Sequence, residues 1–290
     1  MELIPGHIPA PQVVERRKAS LLTSAIPGPA LDGVDWHKGV VAWPESAPSY
    51  RVVQDCTDEI ADYGDEAEFG PIGARPFVIQ TVTRCPRGSI AEMAARAERH
   101  IRAITSRALA YELWTGEATA LDPWTLPTGQ VALANPRPGA GTDDEGPYLN
   151  PFLNAATLLA DPIADATQAM GAVEAEVAER MSGGPVYLHV PTDFVMGMGA
   201  DLVPTGDLLQ TPTGSIVVAD GGYPGPGATG TDLVIYGSGP VTVWLDEPTV
   251  YDRDSWVVDI ETNRVAVRAE RAGLIWFDPQ TLVGCTVGTA

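Results

Sequence analysis

The chain has 290 residues, is 44% hydrophobic, and carries a formal net charge of -20 at pH 7 with a pI near 4.4. That apolar content is enough to bury the core of one elaborate domain or two smaller ones. So acidic a balance argues against a nucleic-acid reader, which needs clustered Lys and Arg to displace counterions from phosphate.

Lys18 and Lys38 are the only lysines. The remaining basic charge is arginine, which favours fixed bidentate pairing; a GC-rich genome, with its abundant Ala, Gly and Pro, produces the same bias. Three widely separated cysteines, Cys56, Cys85 and Cys285, suggest neither a disulfide framework nor a zinc cluster and fit a reducing compartment. No stretch approaches the roughly 18 apolar residues of a membrane span, and the N-terminus lacks a signal-peptide pattern.

Residues 1 to about 40 are rich in Pro and Gly, with one short amphipathic piece around Val13 to Leu22, and end in turn signals at Gly28-Pro29 and Asp32-Gly33. This reads as an arm with too little apolar surface to pack alone, so it must lie on something else, a neighbouring subunit included. Next, two β-like stretches, Tyr50 to Val53 and Phe77 to Val82, bracket an acidic segment holding Asp55, Asp58, Glu59, Asp62, Asp65, Glu66 and Glu68. Clustered carboxylates are hard-cation ligands, but the spacing lacks an Asp-x-Asp-x-Asp-Gly loop, and a solvated or inter-subunit acidic face is the expectation.

Ser89 with Glu92 forms a capping box, and Ile90, Ala94, Ala97, Ile101, Ile104, Ala108 and Tyr111 recur at steps of four and three. The pattern predicts a long helix from Ser89 to Thr115 with one narrow apolar seam, a strut and not a core helix. Arg96, Arg99, Arg102 and Arg107 lie off the seam, and Gly116 stands where a left-handed cap would sit. A second helix is expected from Pro162 to Met181, stopped by Gly183-Gly184-Pro185. A short strand, Val186 to Val190, leads to a short helix capped by Thr192 or Asp193 and ending near Gly197. Six strand-like segments follow: Ser215 to Val218, Asp232 to Tyr236, Val241 to Leu245, Trp256 to Ile260, Arg264 to Phe277 and Leu282 to Val287. The order predicts an α+β fold.

Tests for chemistry return little. Gly225 to Gly230 matches G-x-G-x-x-G, but the residues after it read as a strand where a dinucleotide site needs a helix N-terminus. There is no phosphate loop, nucleophile elbow or paired C-x-x-C. His189, near Thr192 and Asp193, is a candidate general base for a small α/β hydrolase or a carbohydrate-binding protein, and Cys85 before Pro86 a candidate activated thiol. No catalytic residue, cofactor or metal is assigned.

Taken in order, these strings resemble the Hong Kong 97 fold shared by tailed-phage major capsid proteins and encapsulin nanocompartments. Phe77 to Arg84 resembles the returning strand of an E-loop, Ser89 to Thr115 the spine helix, and Tyr111-Glu112-Leu113-Trp114-Thr115-Gly116 its ending. Pro162 to Met181 and the run through Asp193 resemble the axial (A) domain helix, strand and next helix. Asn263 to Phe277, with Arg268-Ala-Glu-Arg271, resembles the last long strand of the peripheral (P) domain in head proteins of actinobacterial phages. The resemblance implies an arm at 1–40, an E-loop hairpin at 41–84, a P domain with spine helix at 85–150, an A domain at 151–231 and P-domain strands at 232–290.

It further implies a major capsid protein that assembles into hexamers and pentamers of an icosahedral virion shell in the host bacterial cytoplasm. Such a shell encloses DNA without sequence-specific binding and meets portal, scaffolding or decoration proteins. An encapsulin-type nanocompartment is the alternative within the fold. The type member of the family cross-links an E-loop lysine to a neighbour's asparagine; no lysine lies between Val40 and Gln80 here, so a shell without covalent cross-links is expected. No long N-terminal scaffolding segment is expected either. The acidic set, facing Arg96, Arg99 and Arg102 of a neighbour, is the expected inter-subunit contact.

Overall fold

The computed structural model describes residues 18–29, 40–42, 72–74, 76–85, 90–115, 156–159, 161–181, 184–197, 202–223, 233–251, 257–259 and 264–288. In chain order these form α1 (Leu21–Ser24), β1 (Ile26–Pro27), β2 (Val40–Ala42), β3 (Ile72–Ala74), β4 (Phe77–Cys85), α2 (Ile90–Thr115), β5 (Thr157–Leu158), α3 (Ala166–Arg180), β6 (Tyr187–Pro191) and α4 (Thr192–Gly197). Strands β7 (Val203–Thr205), β8 (Leu208–Gln210), β9 (Ile216–Asp220), β10 (Leu233–Ser238), β11 (Thr242–Leu245), β12 (Thr249–Val250), β13 (Val257–Asp259), β14 (Arg264–Trp276) and β15 (Val283–Val287) follow, with a 3₁₀ turn at Pro279–Thr281.

Two sheets organise the chain. The first is built around β14, whose thirteen residues pair with β4 along one edge and with β11, β12 and β13 in succession along the other, while β1 extends β11 in parallel. Alternation sorts its faces: Phe77, Ile79 and Thr83 of β4 and Val267, Ala269 and Ile275 of β14 are buried. Arg271, on that same side of β14, reaches α2 by donating from its Nη1 to Thr105 Oγ1 at 3.3 Å.

The second sheet runs β5-β15-β10-β6-β9-β8-β7. Its strand β6 is buried on both sides, and the alternation assigns each side a partner. Leu188, Val190, Val217 and Ile235 join Ala169, Met170, Val173 and Val177 of α3 in one cluster. Tyr187, Val218 and Tyr236 join the cluster that continues along α2 to the first sheet. The strands on either side of residue 231 share this second sheet, because β10 pairs with both β6 and β15.

Helix α2 departs from the expected strut. Its buried side chains are Met93, Ala97, Ile101, Thr105, Leu109 and Leu113, joined by Ala110, Glu112 and Trp114, whereas Ile104 and Tyr111 of the anticipated seam are 36% and 40% exposed. Steps of four overshoot a 3.6-residue turn, so the buried line winds about 200° around the helix between Met93 and Leu113. A seam drawn for one partner misses this, because Thr105 and Leu109 face β14 of the first sheet while Trp114 packs on Tyr236 of the second. The helix is a core element, about 39 Å long over its 26 residues.

Helix α3 begins later than its proline suggests. Asp165 is the N-cap and accepts from Gln168 N at 2.8 Å, leaving Pro162 ahead of the helix. Ser89 and Gly116, the expected caps of α2, lie outside the described residues, as do Tyr50 to Val53 and residues 1–17 of the arm. The part of the arm that is described, 18–29, lies on this same chain: Ile26 N and Gly28 N donate to Val241 O and Val243 O, each at 2.8 Å.

At Gly222 the turn after β9 presses on the backbone of α2: an added Cβ would stand 2.0 Å from Arg107 O and 2.8 Å from Tyr111 N. Gly222→Ala therefore forces backbone apart and should destabilise the protein by about 2–3 kcal/mol. At Gly171, on α3, an added Cβ would meet no other part of the protein within 4 Å, so Gly171→Ala should stabilise by about 0.5–1 kcal/mol through helix propensity alone. Chemical denaturation of the two variants beside the wild type checks the pair.

Candidate functional site

Three arrangements deserve weighing as functional: the outer face of α2, the buried polar cluster around His189, and the junction at Asp220.

On α2, Arg96 and Arg102 are exposed and Arg99 is half-buried. Arg102 is engaged within the chain: its Nη2 meets Glu98 Oε1 at 3.1 Å, one helical turn away, and Glu247 Oε2 at 2.8 Å in the loop between β11 and β12. Those two hydrogen-bonded carboxylates push its pKa up. Among the described residues no ion pair engages Arg96 or Arg99. The acidic set Asp55, Asp58, Glu59, Asp62, Asp65, Glu66 and Glu68 lies outside the described residues.

His189 is fully buried on the side of β6 that faces α2. Its Nδ1 lies 2.8 Å from Tyr223 Oη and its Nε2 2.9 Å from Ser238 Oγ. Ser238 Oγ donates to Gly239 O at 2.8 Å, so towards the ring it accepts. That makes Nε2 the protonated nitrogen and Nδ1 the acceptor of the Tyr223 hydroxyl, a neutral imidazole. Burial drives its pKa down to about 3 and that of Tyr223 well up, the latter aided by the charge of Asp220.

Neither Thr192 nor Asp193 partners this histidine. The Asp193 carboxylate accepts from Phe194 N at 3.1 Å, its own helix start. His189 and Ser238 are both 0% exposed, and with Tyr223 they form a buried polar cluster whose groups satisfy one another. Tyr223 and Ser238, its true partners, are 34 and 49 residues away in sequence, beyond any local spacing rule.

Above this cluster sits Trp114, at the end of α2. Its ring centroid lies 4.6 Å from that of Tyr236, edge to face, and 4.9 Å from that of Tyr223. Asp220, at the end of β9, is 2% exposed. Its Oδ2 accepts from Ser106 Oγ of α2 at 2.7 Å and from Leu21 N of α1 at 3.1 Å, and its Oδ1 accepts from Gly222 N at 3.1 Å. Three parts of the chain meet on one carboxylate.

No family model and no curated protein sequence matches the chain. Among solved structures, a chain of the holo-SrpI encapsulin complex from Synechococcus elongatus is similar over 99% of this chain and 92% of its own, with a TM-score of 0.53 at 9% identity. The protein has the Hong Kong 97-like fold. A chain from Mycobacterium phage Ogopogo aligns over 98% of this chain and 96% of its own (TM-score 0.44, 15% identity), and one from the capsid of an empty GTA particle over 94% and 98% (TM-score 0.47, 12% identity).

Within this Hong Kong 97-like fold, the strand β10 follows the Gly225–Gly230 string, and the string itself lies outside the described residues. Cys285 is a free, buried thiol whose pKa burial raises, and Cys85 ends β4. Among the described residues no three His, Cys, Asp or Glu converge as a metal site, and no helix is long and apolar enough to cross a membrane.

The histidine cluster makes stability depend on pH. An unfolded chain protonates His189 near its ordinary value of about 6.5, while the folded chain keeps it neutral down to about 3. Between those values the unfolded state binds the extra proton, so the contribution of His189 is whole above about pH 6.5 and declines as pH falls, by at most about 1.4 kcal/mol per unit. Urea unfolding at pH 7 and pH 4.5 should show a smaller loss for His189→Gln than for the wild type.

Proposed function

We propose that the chain is a major capsid protein, many copies of which close into an icosahedral head shell around phage DNA without covalent cross-links. The observation that supports a shell, common to the capsid and the encapsulin readings, is the similarity in fold to a chain of an encapsulin complex over 99% of this chain and 92% of that one.

In this reading α2 and the β14 sheet form the peripheral unit, and α3 with the second sheet the axial unit. The axial unit then takes in β10 and β15, since they share hydrogen bonds with β6 and with each other. Residues 41–84 supply the E-loop, and 1–40 the arm. Hexamers and pentamers assemble in the bacterial cytoplasm through many modest contacts, each repeated by symmetry. Portal, scaffolding and decoration proteins are the further partners, and DNA is enclosed without being read.

The acidic set from Asp55 to Glu68 would face arginines of a neighbour. Arg102 already has two partners, which leaves Arg96 and Arg99 as the principal contributors. An encapsulin-type shell is the second reading, favoured by the TM-score above one half to the SrpI chain.

Negative-stain microscopy and sedimentation of the expressed protein test the proposal. Closed particles are expected; a stable monomer whose activity disappears in His189→Ala would overturn it. Particles forming without other phage proteins and retaining a cargo peptide would select the encapsulin reading. Denaturing electrophoresis of particles should give one band near 30.6 kDa and no ladder. Reversing both charges in Arg96→Glu, Arg99→Glu should leave the unfolding free energy within about 0.5 kcal/mol while lowering particle yield by about tenfold or more.

A further inference from the structure

Residues 18–29 cross the molecule from one sheet to the other. Ala19 N donates to Asp207 O in the turn between β7 and β8 at 2.8 Å, and Ala19 O accepts from Ala219 N at 2.6 Å, fastening one end to the second sheet. Leu21, fully buried, donates its N–H to Asp220, and Leu22 N donates to Ser106 Oγ on α2 at 3.3 Å. Beyond α1, Ile26 and Pro27 add a parallel strand to β11 of the first sheet. Pro29 O accepts from Trp244 Nε1 at 3.1 Å, and the Trp244 ring lies where a side chain at position 28 would stand, 2.2 Å from an ideal Cβ. A strap fastened at both ends thus bridges the two sheets.

The midpoint of the strap is the carboxylate. Asp220 joins the strap through Leu21, α2 through Ser106 and its own turn through Gly222, and that turn seats on the α2 backbone. Ala19 holds a positive φ of 56°, a conformation that residues with a Cβ adopt only where surrounding bonds impose it; here those bonds come from Asp207 and Ala219. The entry of the strap, the end of β9 and the middle of α2 are therefore set relative to one another by a few directional bonds.

We propose that this strap, fastened at Asp220, fixes the angle between the two sheets and thereby the curvature and diameter of the shell. The inference rests on the shell reading. In any closed shell of repeated subunits, a small change in the angle between two rigid parts is compounded around the symmetry axes. A device that sets that angle within each subunit acts as a determinant of size.

Asp220→Asn probes it with little change in shape. Asparagine offers one acceptor oxygen and one NH₂ where aspartate offers two oxygens. Either Gly222 N–H or Leu21 N–H then faces another donor, so at least one of the bonds is lost.

Hydrogen exchange at the amides of Leu21, Ile26 and Gly28, combined with particle diameters from electron microscopy, is the test. In Asp220→Asn these amides should exchange about tenfold faster or more, and particles should have an altered or broadened diameter distribution. Ser106→Ala, which removes the link to α2 and leaves the aspartate, should shift both readouts in the same direction and decides the matter if Asp220→Asn does not fold. Particles of wild-type diameter from a variant with accelerated strap exchange would overturn the inference while leaving the shell reading intact. Failure of the wild-type chain to form particles would sink the shell reading, and this inference with it.

Discussion

Helix α2 has to satisfy two sheets at once, and most of what is unusual about the chain follows from that. A helix lying on one sheet needs a stripe. One that meets β14 at Thr105 and Leu109 and then brings Trp114 onto Tyr236 of β10 and onto Tyr223 needs a stripe that turns, and steps of four from Met93 to Leu113 supply the turn. At its far end the contact leaves no room for a side chain at Gly222, and the two tyrosines beneath Trp114 close the gap. Truncating a fully buried side chain on this line, such as Ile101 or Leu109, removes contacts of the kind that typically contribute about 2–5 kcal/mol.

Polar groups at this junction are arranged for enclosure. Asp220 is surrounded by donors from three segments, and the imidazole of His189 is held neutral between a hydroxyl that donates and one that accepts. Each group would be costly if left alone in a dry core. Together they specify how the pieces fit, because hydrogen bonds are directional where aliphatic contacts are not.

Much of this architecture was legible in the order of residues. The long helix, the strand before it, the helix near Ala166 and the late strands all carry periodicity or punctuation that survives in the structure with shifts of a few residues. Strands β7 and β8 carry little signal because Val203–Thr205 and Leu208–Gln210 are three residues each, too short to show alternation, and β7, with its Pro204, is the edge of the sheet. The seam of α2 was drawn through Ile104 and Tyr111 because apolar residues at regular steps look alike whichever way they face. His189 looked reactive beside Thr192 and Asp193; only the fold brings it to Tyr223 and Ser238. The basic half of the anticipated contact, Arg96, Arg99 and Arg102, is where the helix pattern put it, and the engagement of Arg102 by Glu247, 145 residues away, had no local signal.

The pairing of β14 with β4 has a mechanical meaning. Nine consecutive residue pairs, from Val265 with Cys85 to Gly273 with Phe77, hold the strands antiparallel with no break in register. A pull along the strands loads all of those bonds in shear, and they must fail together; a pull across them would open the ladder one rung at a time. Tension running lengthwise through β14, the direction in which its neighbours β11, β12 and β13 are also strung, is thus shared across the whole sheet. The longest strand thus marks the direction along which the first sheet best resists being pulled apart.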